Sequence, residues 1–252
     1  MTLWEGLIVL AAGIGAGTIN TVVGSGTLIT FPVLLAFGLP PVTANVSNTL
    51  GLVPGSLSGA IGYRRELVGQ GPRLLRLGTA SLLGGLLGAW LLVRLPSGAF
   101  DTIVPVLILL ALVLVVVQPR VARAMAARRR DGATAEIGPV LLLGVFLTGI
   151  YGGYFGAAQG VLLIALMGML LDDGMQRLNA AKNVLALIVN GVAAVFFLFT
   201  SHLDWTAVLL IAAGSVLGGQ IGAKVGRRLP PPVLRGIIVA VGLIAVTRLL
   251  VG

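Results

Sequence analysis

Apolar residues in this chain come in long unbroken runs, with no strand-like alternation between them. Ten segments can be drawn, over roughly 3–22, 27–38, 44–62, 74–93, 99–118, 137–154, 158–171, 178–200, 205–224 and 232–251. Several approach the roughly 20 residues that cross a hydrocarbon core. The pattern predicts an all-α polytopic membrane protein. The longest polar interruption, from Gln118 to Asp131, divides the segments into two groups of five.

The two groups resemble each other. Gly84-Gly85-x-x-Gly88-Ala89 leads into Leu95-Pro96, and Gly218-Gly219-x-x-Gly222-Ala223 leads into Leu229-Pro230 at the same spacing. Asn48 matches Asn183, and Gly17 and Gly24 match Gly149 and Gly156, at slightly different spacings that small loop insertions allow. An internal repeat of this kind sets the domain organisation: an N-terminal transmembrane repeat over 1–118, a basic cytoplasmic linker over 119–136, and a C-terminal repeat over 137–252. An odd number of segments per half makes the repeats inverted, as in many secondary transporters. Within each half the first two segments are unusual. Segment two spans about a dozen residues, and the junctions Val23-Gly24-Ser25-Gly26-Thr27 and Phe155-Gly156-Ala157-Ala158-Gln159-Gly160 carry no charge to hold them at a headgroup surface. They read as short, broken hairpins whose tips reach towards the midplane, where non-helical backbone survives only against protein or a wet cavity.

Charge then orients the chain. Arg64, Arg65, Arg73 and Arg76, the linker arginines Arg120, Arg123, Arg128, Arg129 and Arg130, then Arg177, Arg227, Arg228 and Arg235 all fall on one face; the other holds little beyond Arg94, His202 and Asp204. Positive charge marks the cytoplasm, so both termini are expected outside a multi-pass protein of the bacterial inner membrane. Composition agrees: 57% hydrophobic and 10% charged residues cannot cover a soluble surface. The net charge of +9 therefore reads as topology and lipid contact, with no nucleic acid as partner. With no cysteine and one histidine, no cysteine or multi-histidine metal site and no cofactor is expected. The segments hold no nucleophile–base pair, so an intramembrane enzyme has no support. The partners expected are the lipid bilayer and a small anionic substrate; a homo-oligomer is compatible with the sequence.

The candidate site follows from the breaks. Gly24-Ser25-Gly26-Thr27 opens segment two, and helix N-termini attract anions; Gly156 and Gln159 occupy the matching tip. Tight hairpin packing would also explain small residues there. Asn45, Asn48 and Thr49 share one helical face, and Asn179, Lys182 and Asn183 repeat that spacing, with Asn190 two turns on. A lysine inside the membrane costs about 2.5–3.5 kcal/mol. Lys182 therefore either balances a bound anion or snorkels to the cytoplasmic headgroups. Pro54 is expected to kink segment three, His202-Leu-Asp204-Trp205 reads as a structural exterior turn, and the Gly-x-x-x-Gly pairs Gly13/Gly17, Gly51/Gly55, Gly84/Gly88 and Gly214/Gly218 as helix packing.

Asn45-Val-Ser-Asn48-Thr49, Pro54-Gly55-Ser56 and Gly62-Tyr63-Arg64-Arg65-Glu66 resemble the first-half signature of the TauE/SafE sulfite exporter family. Arg177-Leu-Asn179-Ala-Ala-Lys182-Asn183, His202-Leu-Asp204-Trp205 and Gly218-Gly219-x-x-Gly222-Ala223 through Pro230 resemble its second half. The resemblance covers essentially the whole chain, although both tips are poorer in glycine than the family pattern. It implies transport, most simply export, of sulfite, sulfonates or a related anion by alternating access, with an anion channel of the same fold or another small anion as the alternative.

Overall fold

The computed structural model describes residues 1–128 and 137–225, and beyond them positions 236, 239, 240 and 243. Segment ten, linker residues 129–136 and Arg227, Arg228 and Arg235 thus lie outside the described residues, apart from those four positions. Among the described residues the fold is helical, without a strand. In the described residues the helices run α1 (Leu3–Val22), α2 (Thr27–Ala36), α3 (Pro41–Gly62), α4 (Gly71–Arg94), α5 (Ser97–Arg128), α6 (Pro139–Tyr154), α7 (Gln159–Leu170), α8 (Met175–Thr200) and α9 (Trp205–Val225).

Among the described residues five stretches are long and apolar enough to cross a membrane: Leu3–Val22, Gly71–Arg94, Gly98–Val117, Met175–Thr200 and Trp205–Lys224. Helix α3 has the length, 22 residues, but buries Asn45, Ser47, Asn48, Thr49, Ser56 and Ser58, so its polar face is turned to protein. Helices α2 and α7, with 10 and 12 residues, reach only about 15 and 18 Å at 1.5 Å per residue. Helix α5 does not stop where segment five does. It continues through Pro119 to Arg128, because Val121-Ala-Arg-Ala-Met-Ala-Ala-Arg128 is dominated by strong helix formers.

Two bundles emerge from the packing. Helices α1 and α3 lie against α9, while α6 and α8 lie against α4. Glycine makes both possible. A Cβ on Gly218 would run into the Ile14 carbonyl and one on Gly17 into the Ser215 carbonyl; across the other interface, Gly88 meets the Ile150 carbonyl and Gly153 that of Gly85. Backbone is what each would strike, so no side chain can turn aside. The Gly-x-x-x-Gly pairs are therefore packing surfaces, as expected, with Gly51 and Gly55 serving α3 against Ile211 and Ser215. Pro54 sits inside α3 without ending it.

The turn at His202–Trp205 is a helix cap. Asp204 Oδ1 accepts the Ala207 N–H at 2.8 Å, and the Asp204 N–H donates to Ser47 Oγ at 2.9 Å, tying α9 to α3. The α3–α4 loop meets the α7–α8 loop: Arg73 Nη1 lies 2.6 Å from Asp173 Oδ2, Arg177 Nε lies 2.9 Å from Asp173 Oδ1, and Gln70 Nε2 donates to the Arg177 carbonyl at 3.0 Å.

Candidate functional site

Helix α1 ends at Val22 because Gly24 turns into the left-handed region, φ 89°, which glycine adopts without penalty. Helix α6 ends in the same way before Gly156, φ 79°. Two residues further on, Ala158 also stands at φ 59°, a strained value for a residue with a Cβ. Both turns reverse the chain into short helices, and the two tips meet. The Gly160 N–H donates to the Gly24 carbonyl at 3.1 Å. A Cβ on Gly160 would lie 2.5 Å from Gly24 Cα and 2.8 Å from Lys182 Cδ. Only glycine on each side permits this approach.

Lys182 is fully buried, 0% exposed, and does not reach a headgroup. Its Nζ donates to the carbonyls of Asn20 at 2.8 Å and Thr21 at 3.0 Å. Asn179 and Asn183 donate their Nδ2 groups to the Thr21 carbonyl as well, at 3.2 and 3.3 Å. These carbonyls belong to the last turn of α1, where helix geometry leaves acceptors unpaired and the dipole is negative. The second-half triad thus caps the first-half hairpin. Asn45 does the converse, donating to the Tyr154 carbonyl at the end of α6 at 2.9 Å. Each half closes the other's broken helix.

The remaining candidates fall into place around this crossing. Asn48 donates to Thr27 Oγ1 at 3.3 Å and accepts from Thr30 Oγ1, fastening α2 to α3. The Thr49 hydroxyl turns back to the Asn45 carbonyl at 2.9 Å and so serves its own helix. Gln159 packs its amide against Gly152 of α6, a position where a Cβ would displace it. Several backbone donors expected to point outward are used: Leu28 bonds Ser25, Gln159 bonds Gly156, Val161 bonds Ala158, and Gly160 bonds the opposite tip. What stays open is on side chains. Ser25 Oγ, Asn45 Oδ1, Tyr154 OH, Gln159 Nε2 and Asn179 Oδ1 are buried without a hydrogen-bond partner among the described residues.

Sequence reasoning missed Asn20, Thr21, Thr30 and Gly160. Asn20 lies beside Ser56 Oγ at 3.4 Å, which Asn190 Nδ2 approaches at 3.5 Å. A polar Asn20-Thr21 pair closing an otherwise apolar helix was the available signal. An aromatic cluster covers the second tip: Phe31 and Phe155 pack edge to face at 5.2 Å, with Phe100 at 6.3 Å from Phe155 and 5.7 Å from Tyr154. Among the described residues no cluster of His, Asp or Glu could hold a metal.

Fold and site together define a multi-pass membrane protein with a buried polar centre between two broken hairpins. The comparisons with known proteins then name the group. The chain belongs to the sulfite exporter TauE/SafE family, whose model matches residues 9–249. It is similar to the probable membrane transporter protein YfcA of Escherichia coli (strain K12), 25% identical over 236 residues, 93% of this chain and 86% of that one. A probable membrane transporter protein of Haemophilus influenzae is 28% identical over 217 residues, 86% of this chain and 83% of its own. Probable membrane transporter protein ORF9 of a Sinorhizobium species is 27% identical over 235 residues, 93% and 88%. No solved structure gives a significant match.

Proposed function

We propose that this protein is a secondary transporter, working as an exporter, for a small sulfur-containing oxyanion such as sulfite or an organosulfonate. Alternating access between two inverted repeats, 1–118 and 137–252, would carry the anion past the tips at the bilayer midplane. The observation that carries the reading is the meeting of the two tips, Gly160 N–H on Gly24 O, beside the fully buried ammonium of Lys182. Two of the three ammonium donors go to α1 carbonyls, which leaves one for a ligand. Tip contact closes the path between the hairpins, as an occluded carrier requires and an open pore does not.

Inverted repeats are supported by the packing. Exchanging the halves turns α1 on α9 into α6 on α4, and α3 on α9 into α8 on α4, both of which occur. An orientation with both termini outside is supported by the tryptophans. Trp4, Trp90 and Trp205 are exposed; they stand at the α1 start, the α4 end and the α9 start, all at the exterior interface in that topology. In a cell membrane negative inside, a monovalent anion is driven outward by about 2.3 kcal/mol per 100 mV, so export needs no coupled ion.

The test is sulfite flux into proteoliposomes of the purified protein, beside Lys182→Met, which keeps the stem length and removes the charge. Saturable flux in the wild type, lowered about tenfold or more in correctly inserted Lys182→Met protein, is expected. Flux that never saturates would favour a channel; wild-type protein that moves neither sulfite, sulfonates nor thiosulfate refutes the substrate class.

A further inference from the structure

The unpaired atoms of the tips are mixed in kind, and this constrains the ligand. Leaving a buried polar atom unpaired is costly, and folded interiors pair nearly all of them. Here five such atoms lie on the two tips and on the side chains that cap the neighbouring helix ends: Ser25 Oγ, Tyr154 OH and Gln159 Nε2, together with Asn45 Oδ1 and Asn179 Oδ1. Around the tip contact the spacing is close: Gly24, next to Ser25 in the chain, accepts from Gly160, next to Gln159, at 3.1 Å, and Lys182 Nζ and Asn179 Nδ2 meet on the Thr21 carbonyl at 3.0 and 3.2 Å; Asn45 is anchored on Tyr154 at the other helix end.

Two of the five can only accept. Asn45 and Asn179 give their amide N–H groups to backbone carbonyls at 2.9 and 3.2 Å. A carbonyl takes only a donor, so these bonds fix which end of each amide is the oxygen. The Gln159 amide and the two hydroxyls can donate. An anion that offers acceptors alone would satisfy Ser25, Tyr154 and Gln159, and would press its oxygens on the carbonyls of Asn45 and Asn179.

Charge gives the second constraint. Lys182 is the one charged side chain among the buried described residues. One negative charge balances it; a second would be buried without a partner, which is strongly unfavourable.

We propose that the ligand of this locus is a singly charged anion that carries a hydrogen-bond donor of its own, such as hydrogensulfite or a hydroxysulfonate. This rests on the transport reading above. As the tips part, the anion's oxygens take Ser25, Gln159 and Lys182, and its O–H goes to Asn179, which shares the Thr21 carbonyl with Lys182. The same site discriminates against bare dianions and against sulfonates with an alkyl group in place of the hydroxyl, because these leave a buried acceptor unpaired.

The experiment uses an isosteric pair. Sulfite flux in proteoliposomes is measured in the presence of 2-hydroxyethanesulfonate, propane-1-sulfonate or sulfate. The hydroxysulfonate is expected to inhibit at a concentration about tenfold or more below that of propane-1-sulfonate, with sulfate weaker still. Asn179→Leu, checked for correct insertion, is expected to shrink the gap between the pair. Equal inhibition by the two sulfonates, or sulfate as effective as the hydroxysulfonate, overturns the inference. If wild-type protein carries no sulfite, the transport reading has failed on its own, and the panel is read as thermal shifts of the detergent-solubilised protein. A larger shift with the hydroxysulfonate than with its alkyl isostere then upholds the donor requirement, and equal or absent shifts overturn it.

Discussion

Gly160→Ala is the smallest change that acts on the contact between the tips. Gly160 sits in α7 and needs no special backbone conformation, so alanine there probes contact alone, unlike Gly24, whose φ of 89° would add strain. The new Cβ would stand 2.5 Å from Gly24 Cα, 2.8 Å from Lys182 Cδ and 3.2 Å from the Gly24 carbonyl. The lysine stem can shift; the Gly24 backbone, held by its own turn, cannot. Relieving the clash separates the tips and breaks the Gly160–Gly24 hydrogen bond. Overpacking costs about 1–3 kcal/mol and the bond about 0.5–1.5. The arrangement with the tips in contact therefore loses about 1.5–4.5 kcal/mol, or roughly 10- to 1,600-fold in its ratio to one with the tips apart. The assay exploits the absence of native cysteine. Ser25, 1% exposed at the first tip, becomes a single reporter as Ser25→Cys, and its maleimide labelling rate is measured in membranes. Adding Gly160→Ala should accelerate labelling about tenfold or more, whereas Gly98→Ala, which meets nothing within 4 Å, should not. An unchanged rate in folded Gly160→Ala protein refutes tip separation. So does an equal acceleration at Leu77→Cys, a buried position of the α4 core, since that reports general unfolding.

Two further perturbations test the scaffold. Gly84→Ala and Gly218→Ala each drive a Cβ into backbone at matching positions of the two halves, the Phe146 and Ile14 carbonyls. Both should destabilise the detergent-solubilised protein to a similar extent, by about 1–3 kcal/mol in thermal melts, and a large loss from one alone would contradict the matching of the two bundles. Asp173→Asn tests the loop–loop corner: burial alone would raise this carboxyl, but the Arg73 hydrogen bond, the Gly174 N–H and the charges of Arg177 and Arg73 outweigh it and hold its pKa below the ordinary value. A depressed carboxylate stabilises above the unfolded-state pKa and loses that contribution as pH falls through its folded value. The wild type should therefore out-melt the variant at pH 7, by about 1 kcal/mol or less for a partly exposed pair. The gap should close as the pH falls below about 4; one that persists there would assign the effect to something other than charge.

Much of the architecture was written in the hydrophobic pattern, because helix length in a bilayer is set by geometry that any apolar run must obey. The limits of segments one to nine agree with the helices to a few residues, and the missed extension of α5 lies where alanine and arginine keep a helix going after hydrophobicity has ended. The short α2 and α7 were legible as breaks for the same reason. Partnership was harder to read. Asn45, Asn179, Lys182 and Asn183 stood out as polar residues in apolar helices, but nothing local says that they reach across to the other half's helix ends. Gly160 carried no signal beyond its neighbours, since its role depends on a residue more than a hundred positions away. Ala158 shows the opposite limit: sequence alone favours glycine where φ is 59°, and the chain tolerates the strain at the tip.

The crossed capping gives the tips a mechanical logic that neither half has alone. Broken helices are expensive in a bilayer because their end groups have no water. Here the α1 carbonyls are held by Lys182, Asn179 and Asn183 of α8, and the α6 carbonyl by Asn45 of α3. Neither hairpin can move freely from the opposite half without exposing carbonyls that must find new donors. The two halves are thus coupled through the same residues that line the locus. An anion of the kind proposed would take the third donor of the Lys182 ammonium while the other two hold the α1 carbonyls, so its pull would bear on the contact that must yield for the tips to part. On the transport reading, binding and opening share one set of hydrogen bonds, and no separate relay between them is required.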